Sequence, residues 1–438
     1  MTRLHADVLV VGAGPAGIAV VCQLAEAGKS VIWIDAGAAA GGQIWRAQLP
    51  ARWQARLKAV AAKVQHLAGH AVVSPLPAAA GQQALLLQSQ QDPSAAAFAV
   101  QAPNVLLATG ARERFIPFPG WTLPGVTGAG GLQALVKQGW PLKGKRVVVA
   151  GSGPLLLATA HTLQSQGCTP SLIAEQASKT QLSQFALRLD ARFWAQAASM
   201  AWQLRRVPFQ SGTWVLRALG EEKLEAVVLS DGRREWTQAC DALALGYGLL
   251  PNTELAALLG CALQASAIQV DQQLQTSVPG VYAAGECTGI AGVDKALAEG
   301  GLAAQSILGQ QRQHAPAALR RARRHGQLLA QIFALRPELL QLAEAKTIIC
   351  RCEDVSLGEL KAQRSWREAK LQTRCGMGAC QGRICGPICQ DLLGWPAGAG
   401  ERAVRAPLQP TPISAFLSPG VSMPADTDQK DQGDPSIL

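Results

Sequence analysis

The chain has 438 residues with 48% hydrophobic content, enough for about three domains with buried cores, and a net charge of +10 that is spread along it. It has no run of eighteen apolar residues free of charge, which argues against a membrane span, and its N-terminus enters a strand pattern directly, without the features of a signal peptide. A cytoplasmic protein is therefore expected, and in a reducing compartment its eleven cysteines point to metal or redox chemistry rather than to a disulfide framework.

The first predicted unit, "DVLVVGAGPAGIAVVCQLAEAGKSVIWIDAG", reads as strand, glycine turn, helix and second strand. Gly12 permits the tight turn, Gly14 lets backbone approach a pyrophosphate, and Gly17 lets the helix pack close to the strand; Pro15 and Ala16 open that helix. A helix N-terminus carries about half a positive charge and favours phosphate. Asp35 ends the second strand, followed by Ala36, where an acid accepts hydrogen bonds from ribose hydroxyls. This unit alone does not separate FAD from NAD.

Distant segments bear on that choice. "VLLATGARERFIPFPG" carries Thr109 and Gly110 after a strand, "TSVPGVYAAGECTG" ends a strand at Gly285 and Glu286, and "GGQIW" (41–45) supplies Gly42 and Gln43. These segments resemble the two-dinucleotide-fold flavoproteins that include thioredoxin reductase. The resemblance implies an FAD site in which Glu286 takes the place of the family's Asp, and a helix within "VDKALAEGGLAA" (293–304), containing Ala296, whose N-terminus faces the flavin. The expected FAD domain is discontinuous, 1–120 and 270–312.

The same plan recurs 139 residues later in "GKRVVVAGSGPLLLATAHTLQSQGCTPSLIAEQ", within an expected second domain at 121–269. Gly151 and Gly153 match the first two glycines, but the third place is Leu156, expected to push the helix off its strand. Glu175 ends the second strand, where it suits NADH over NADPH, while Ala158 stands where the resembling family carries Glu. This domain is read as structural, with weak or absent NAD(P)H use. Disulfide reductases need a cysteine pair beside the flavin, and Cys22, Cys168, Cys240, Cys261 and Cys287 provide no such spacing; they read as core residues.

A helical linker is expected at 313–344. Its basic block "LRRARRH" (319–325) has no interleaved aromatics and reads as a solvated helix face, not a nucleic-acid patch. Six of the eleven cysteines then fall within forty residues, Cys350, Cys352, Cys375, Cys380, Cys385 and Cys389. Cys350-x-Cys352, 27 residues, and Cys380-x4-Cys385 supply four thiolates, which suit a [2Fe–2S] cluster or zinc. In a flavoprotein lacking a disulfide the cluster is the more economical reading. Cys375 and Cys389 compete as ligands, and Ser356 with Glu359 forms a capping box between the pairs. "CRCED…TRCGMGACQGRICGP" resembles the bacterioferritin-associated ferredoxin module, implying a small helical [2Fe–2S] domain at 345–397, although that module commonly uses C-x-x-C in its second pair. The stretch from Ser418 to Leu438 is polar and rich in Pro and Asp, and a disordered tail is expected at 398–438.

Together the resemblances cover about residues 5–395 and are similar in order to the flavoprotein subunits of bacterial amine-oxidising complexes: the hydrogen cyanide synthase B subunit, the opine oxidase A subunit, and the alpha subunit of D-hydroxyproline or dye-linked proline dehydrogenase. "LALGYGLLPNTELAALLGC" (243–261) is similar to a segment of that group. The implied fold is α/β, with two Rossmann-like domains plus the small cluster domain. The implied partners are a D-amino-acid-oxidase-like catalytic flavoprotein and a small ferredoxin-like subunit, with no nucleic acid and at most peripheral membrane contact through an electron acceptor. No substrate-oxidising residue is apparent. The alternatives are a stand-alone NAD(P)H dye or ferredoxin reductase and a zinc-stabilised flavoprotein scaffold.

Overall fold

The computed structural model describes residues 3–46, 48–92, 94–310, 313–395 and 404–417. Apolar runs too continuous for a one-sided sheet form two parallel sheets, each covered on its faces. The first has the strand order Val281–Ala283, Asn104–Leu107, Val8–Val11, Val31–Asp35, Val64–Ala68. The second has the order Val126–Gly128, Ala242–Gly246, Arg146–Gly151, Thr169–Glu175, Phe209–Ser211. The expected pair of dinucleotide folds is therefore present. A four-stranded sheet (Arg3–His5, Phe98–Ala102, Gln83–Ser89, His70–Leu76) accompanies the first, and a three-stranded antiparallel sheet at Trp214–Ala239 accompanies the second. Ala111–Glu113 pairs antiparallel with Leu249–Pro251 and joins the two folds.

Strand register decides which residues meet at the end of the first sheet. Val11 pairs with Leu107 and with Ile34, and Leu107 pairs with Ala283. The residues at or just beyond the ends of these strands, Gly12, Asp35, Thr109 and Gly285, are thus delivered to one edge, the carboxyl end of the sheet where open α/β folds bind ligands.

In the second fold Leu156 is fully buried rather than disruptive. Gly246 on the neighbouring strand leaves it room: a Cβ there would lie 3.1 Å from Leu156 Cδ2. The expected displacement of the helix is thus offset by a missing side chain across the interface.

The basic block lies in the helix Ala317–Ile332 and is not wholly a solvated face. Arg323 pairs at 3.0 Å with the buried Glu299, and the His325 ring stacks on Phe193 at 4.3 Å. The capping box forms, with Ser356 N–H donating to Glu359 Oε2 at 2.8 Å ahead of the helix Leu357–Lys361. The expected disorder of 398–438 does not hold for 404–417. Leu408 is buried beside the first sheet, its N–H donating to the Val73 carbonyl at 2.8 Å, and Ala415 is buried in the core beside Val73 and Leu86. The remainder of that stretch, 398–403 and 418–438, lies outside the described residues. Among the described residues no helix is long and apolar enough to cross a membrane.

Candidate functional site

The glycine turn of the first fold is built by close approach. Gly12 has φ +113°, and a Cβ on it would lie 2.1 Å from the Ala108 carbonyl oxygen; a Cβ on Gly17 would lie 2.0 Å from the Gly12 carbonyl. Gly14, the helix N-cap, has nothing within 4 Å of the same position. Pro15 starts the helix Pro15–Glu26, and no side chain caps its N-terminus. Open space beside uncapped amides at the end of a helix fits a pyrophosphate.

The other expected residues surround this turn. Asp35 accepts from Ala13 N–H at 2.5 Å and Gly37 N–H at 2.7 Å, while Ala36 between them is exposed. The 41–46 loop folds over the turn: Gly41 N–H donates to Ala13 O, and a Cβ on Gly42 would lie 2.8 Å from Gly14 Cα. Gln43 is exposed and accepts from Arg46 at 3.0 Å. Thr109 donates to Asn252 O at 2.7 Å, and Gly110 O accepts from Asn252 N–H at 3.0 Å. Gly285 (φ +92°) faces Ala16 and Ala296 across a gap that a Cβ would close to 3.0 Å and 3.8 Å. Glu286 accepts from Gly292 N–H at 2.8 Å and Ala291 N–H at 3.3 Å; burial pushes its carboxyl above the ordinary range.

Sequence reading missed a buried ion pair behind this edge. Lys295 and Glu299, 3% and 0% exposed, meet at 2.9 Å. Lys295 donates to the carbonyls of Gly285 and Gly289 at 2.7 and 2.9 Å and to Thr288 Oγ1, while Glu299 accepts from Gly285 N–H at 3.0 Å. The pair grips the Gly285–Thr288 turn from its carbonyl and amide sides, fixing the peptide orientation that leads to Glu286. Its i,i+4 spacing is visible in the sequence, but its burial is not. Cys287 is buried with its thiol on the Leu107 and Ala284 carbonyls, and burial pushes it up to about 11, as suits a core residue.

The six-cysteine segment forms a second centre. Cys350 ends the strand Ile348–Cys350, and Cys385 begins the helix Cys385–Leu393, with Cys389 one turn later. The sulfurs of Cys350, Cys375 and Cys385 lie within 4.8 Å of one another. Cys380 contacts Cys385 and Cys352, so the four thiols expected as ligands form a connected run. Cys375, expected only as a nearby competitor, sits inside the group with Cys350 and Cys385 and contacts Cys389. Hydrogen bonds from the Cys375 and Cys385 thiols and from Gly376 N–H pull the Cys350 thiol far below its usual range. Hydrogen bonding to Cys385, with Ile384 and Gly382 N–H groups, lowers Cys380 to about 5. The same hydrogen bonds push Cys375 and Cys385 up, so Cys350 and Cys380 are the readiest thiolates of the run. The turns at Gly376 and Gly382 bring N–H groups to the Cys350 and Cys380 sulfurs. They are packed on Trp366, whose ring a Cβ on Gly376 would meet at 2.6 Å. This donor set suits a soft metal centre and does not by itself separate iron–sulfur from zinc.

The two centres are joined by direct contacts. Arg112, two residues past the Thr109–Gly110 turn, donates to Asn252 Oδ1 at 2.8 Å and to the Arg383 carbonyl at 3.1 Å, and pairs with Glu254 at 2.8 Å. Arg383 precedes Cys385 by two residues. Arg114 makes a two-pronged pair with Asp391 on the helix that Cys385 begins, at 2.6 and 2.9 Å.

The chain is similar to known proteins in sequence and fold. Residues 6–320 match the pyridine nucleotide-disulphide oxidoreductase family. The chain is 32% identical to the HcnB subunit of hydrogen cyanide synthase from Pseudomonas aeruginosa over 94% of its own length and 98% of that protein. It is 32% identical to the opine oxidase A subunit of Rhizobium meliloti, over 92% of this chain and 96% of that one. Its fold is similar to that of L-proline dehydrogenase from P. horikoshii, with TM-score 0.67 and 18% identity over 94% of this chain and 80% of that structure.

Proposed function

This chain belongs to the pyridine nucleotide-disulphide oxidoreductase family, alongside the HcnB and opine oxidase A subunits, and on that footing we propose that it is the FAD and [2Fe–2S] electron-relay subunit of a heteromeric amine or imino-acid dehydrogenase. Its relatives of near-equal length carry the names of subunits, which supports a partner-dependent role. In this reading a separate, D-amino-acid-oxidase-like flavoprotein oxidises the amine, a small ferredoxin-like subunit completes the complex, and opine, D-hydroxyproline, proline or glycine is the substrate class.

The observation that carries the reading is the Arg112 bridge, which ties the turn after Thr109 to the backbone entering Cys385. A zinc scaffold has no need of such direct docking onto a flavin turn. FAD, when bound, exchanges electrons in pairs, and a [2Fe–2S] cluster passes them singly. The chain's own residues do the rest. The amides of Gly14 and of Ala16 onward would hold the pyrophosphate, with Asp35 on the ribose. Glu286 meets the ribityl–phosphate region, and Lys295 with Glu299 holds the Gly285 turn in place. Thr109, Gly110, Gly42, Gln43, Ala36 and Ala296 line the remaining approach. Cys350, Cys352, Cys380 and Cys385 are the ligands we assign, with Cys375 and Cys389 beside them.

Anaerobically purified protein is expected to release FAD on denaturation and to contain two irons per chain with the absorbance of a [2Fe–2S] centre. Zinc in place of iron, or FMN in place of FAD, refutes the reading. The ligand assignment has its own check: Cys385→Ala is expected to lose the iron and Cys375→Ala to keep it, and the reverse result moves the ligand to Cys375.

A further inference from the structure

The two glycine turns of this molecule look alike in sequence and differ in what occupies them. At the first, the space beyond Gly14 is open. At the second, the ring of Phe333 lies against Gly153, 3.5 Å from where a Cβ would stand. The carbonyls around it are bonded to the turn: Ser152 Oγ donates to Phe333 O at 3.2 Å, and Gln176 Nε2 donates to Ala334 O at 3.0 Å. Gln181 Nε2 donates to Ile332 O at 3.1 Å, and the Phe185 ring meets Phe333 edge-on at 5.1 Å. Residues 332–336 thus lie along the crevice mouth that a dinucleotide would use.

The acids differ too. Asp35 is short and bonds Ala13 N–H, leaving Gly14 N–H free of it. Glu175 is one methylene longer and reaches one residue further, accepting from Gly153 N–H at 2.6 Å and Ala177 N–H at 2.8 Å. It is 2% exposed. The amide that would grip a pyrophosphate is already satisfied by a carboxylate, and the carboxylate that would grip a ribose is sealed beneath the segment. Burial pushes this carboxyl up to about 7.

We propose that Phe333 and Glu175 set the electron-donor specificity of this protein: they keep the second nucleotide crevice filled by the chain itself and so refuse reduced nicotinamide dinucleotides, leaving the amine-oxidising partner to supply electrons. The last clause rests on the relay reading; the self-filled crevice does not. The same segment runs directly into the cysteine domain, so the occupant of the crevice also anchors the second centre to the second fold.

The test uses ADP-ribose, the part of the dinucleotide such a crevice holds, titrated calorimetrically into the full chain with FAD in excess. The wild type is expected to bind no tighter than about 1 mM, and Glu175→Ala/Phe333→Ala at least about tenfold tighter. Micromolar binding by the wild type overturns the proposal, as does a folded double variant with no gain. Should the double variant not fold, amide exchange on the wild type decides. The Gly153 amide is expected to be protected and unchanged by about 1 mM NADH, and added protection across 151–156 overturns the proposal. Missing FAD or iron would sink the relay reading while leaving this result intact, because ADP-ribose binding localised by exchange reports on the second crevice alone.

Discussion

A Cβ at Gly17 would stand 2.0 Å from a backbone carbonyl, whereas one at Gly14 would meet open space. Two glycines of one turn should therefore fail differently. Gly17→Ala forces the helix off its strand and is expected to destabilise the fold by about 1–3 kcal/mol or more, the range for overpacking a rigid site. Gly14→Val is expected to fold with nearly unchanged stability and to lose FAD, because the branched side chain takes the pyrophosphate's place. Thermal unfolding and flavin content after purification separate the two; a Gly14→Val protein that retains flavin would show that the phosphates do not lie there. Both glycines were legible in the sequence, since the spacing names their jobs. Phe333 was not: nothing in "IFALRPELL" says that its ring lies on a turn 180 residues earlier. Lys295 was equally hidden, as an i,i+4 pair with Glu299 reads as surface until burial is known.

At the scale of elements, periodicity and register carried the reading furthest. Continuous apolar strands implied parallel sheets, and the parallel register then carried Gly12, Asp35, Thr109 and Gly285 to one edge without any long-range knowledge. The cysteine domain was legible as a metal-type donor set but not in its internal order. Spacing counts residues, while the turns at Gly376 and Gly382 wrap Trp366 and bring Cys375 inward. The segment at 404–417 was misjudged because it was grouped with the polar stretch after it, whereas it is half apolar and anchored by Leu408 and Ala415. Short elements dominate 345–395, and a small core leans on its metal for stability. Cys380→Ser is expected to remove iron and to raise amide exchange across 345–395 by at least about tenfold. FAD should be retained, because its turn draws on other elements. Exchange unchanged after loss of iron would mean that the apolar core around Trp366 and Ile388 holds the domain without its centre.

For the molecule as a whole, the question is what fixes the distance between the two centres. Arg112 has three partners on two segments, Asn252 and Glu254 on one and the Arg383 carbonyl on the other, and it is mostly buried. Arg114 with Asp391 is a separate two-pronged clamp about two helical turns further along. Removing Arg112 thus leaves the cysteine domain attached but frees the loop entering Cys385. Arg112→Leu also leaves Glu254 without its ion partner, at a cost of order 1–3 kcal/mol for a partly buried group. FAD and iron contents are expected to match the wild type. After photoreduction of the flavin, bleaching of the cluster should slow by about tenfold, equivalent to about 1.4 kcal/mol in the barrier. Arg112→Lys keeps the charge for Glu254 but not the planar fork, so it should recover stability more fully than rate. An Arg112→Leu protein whose cluster bleaches at the wild-type rate would place the control of that distance in the Arg114–Asp391 clamp instead, with Asp391→Asn as the variant that slows it.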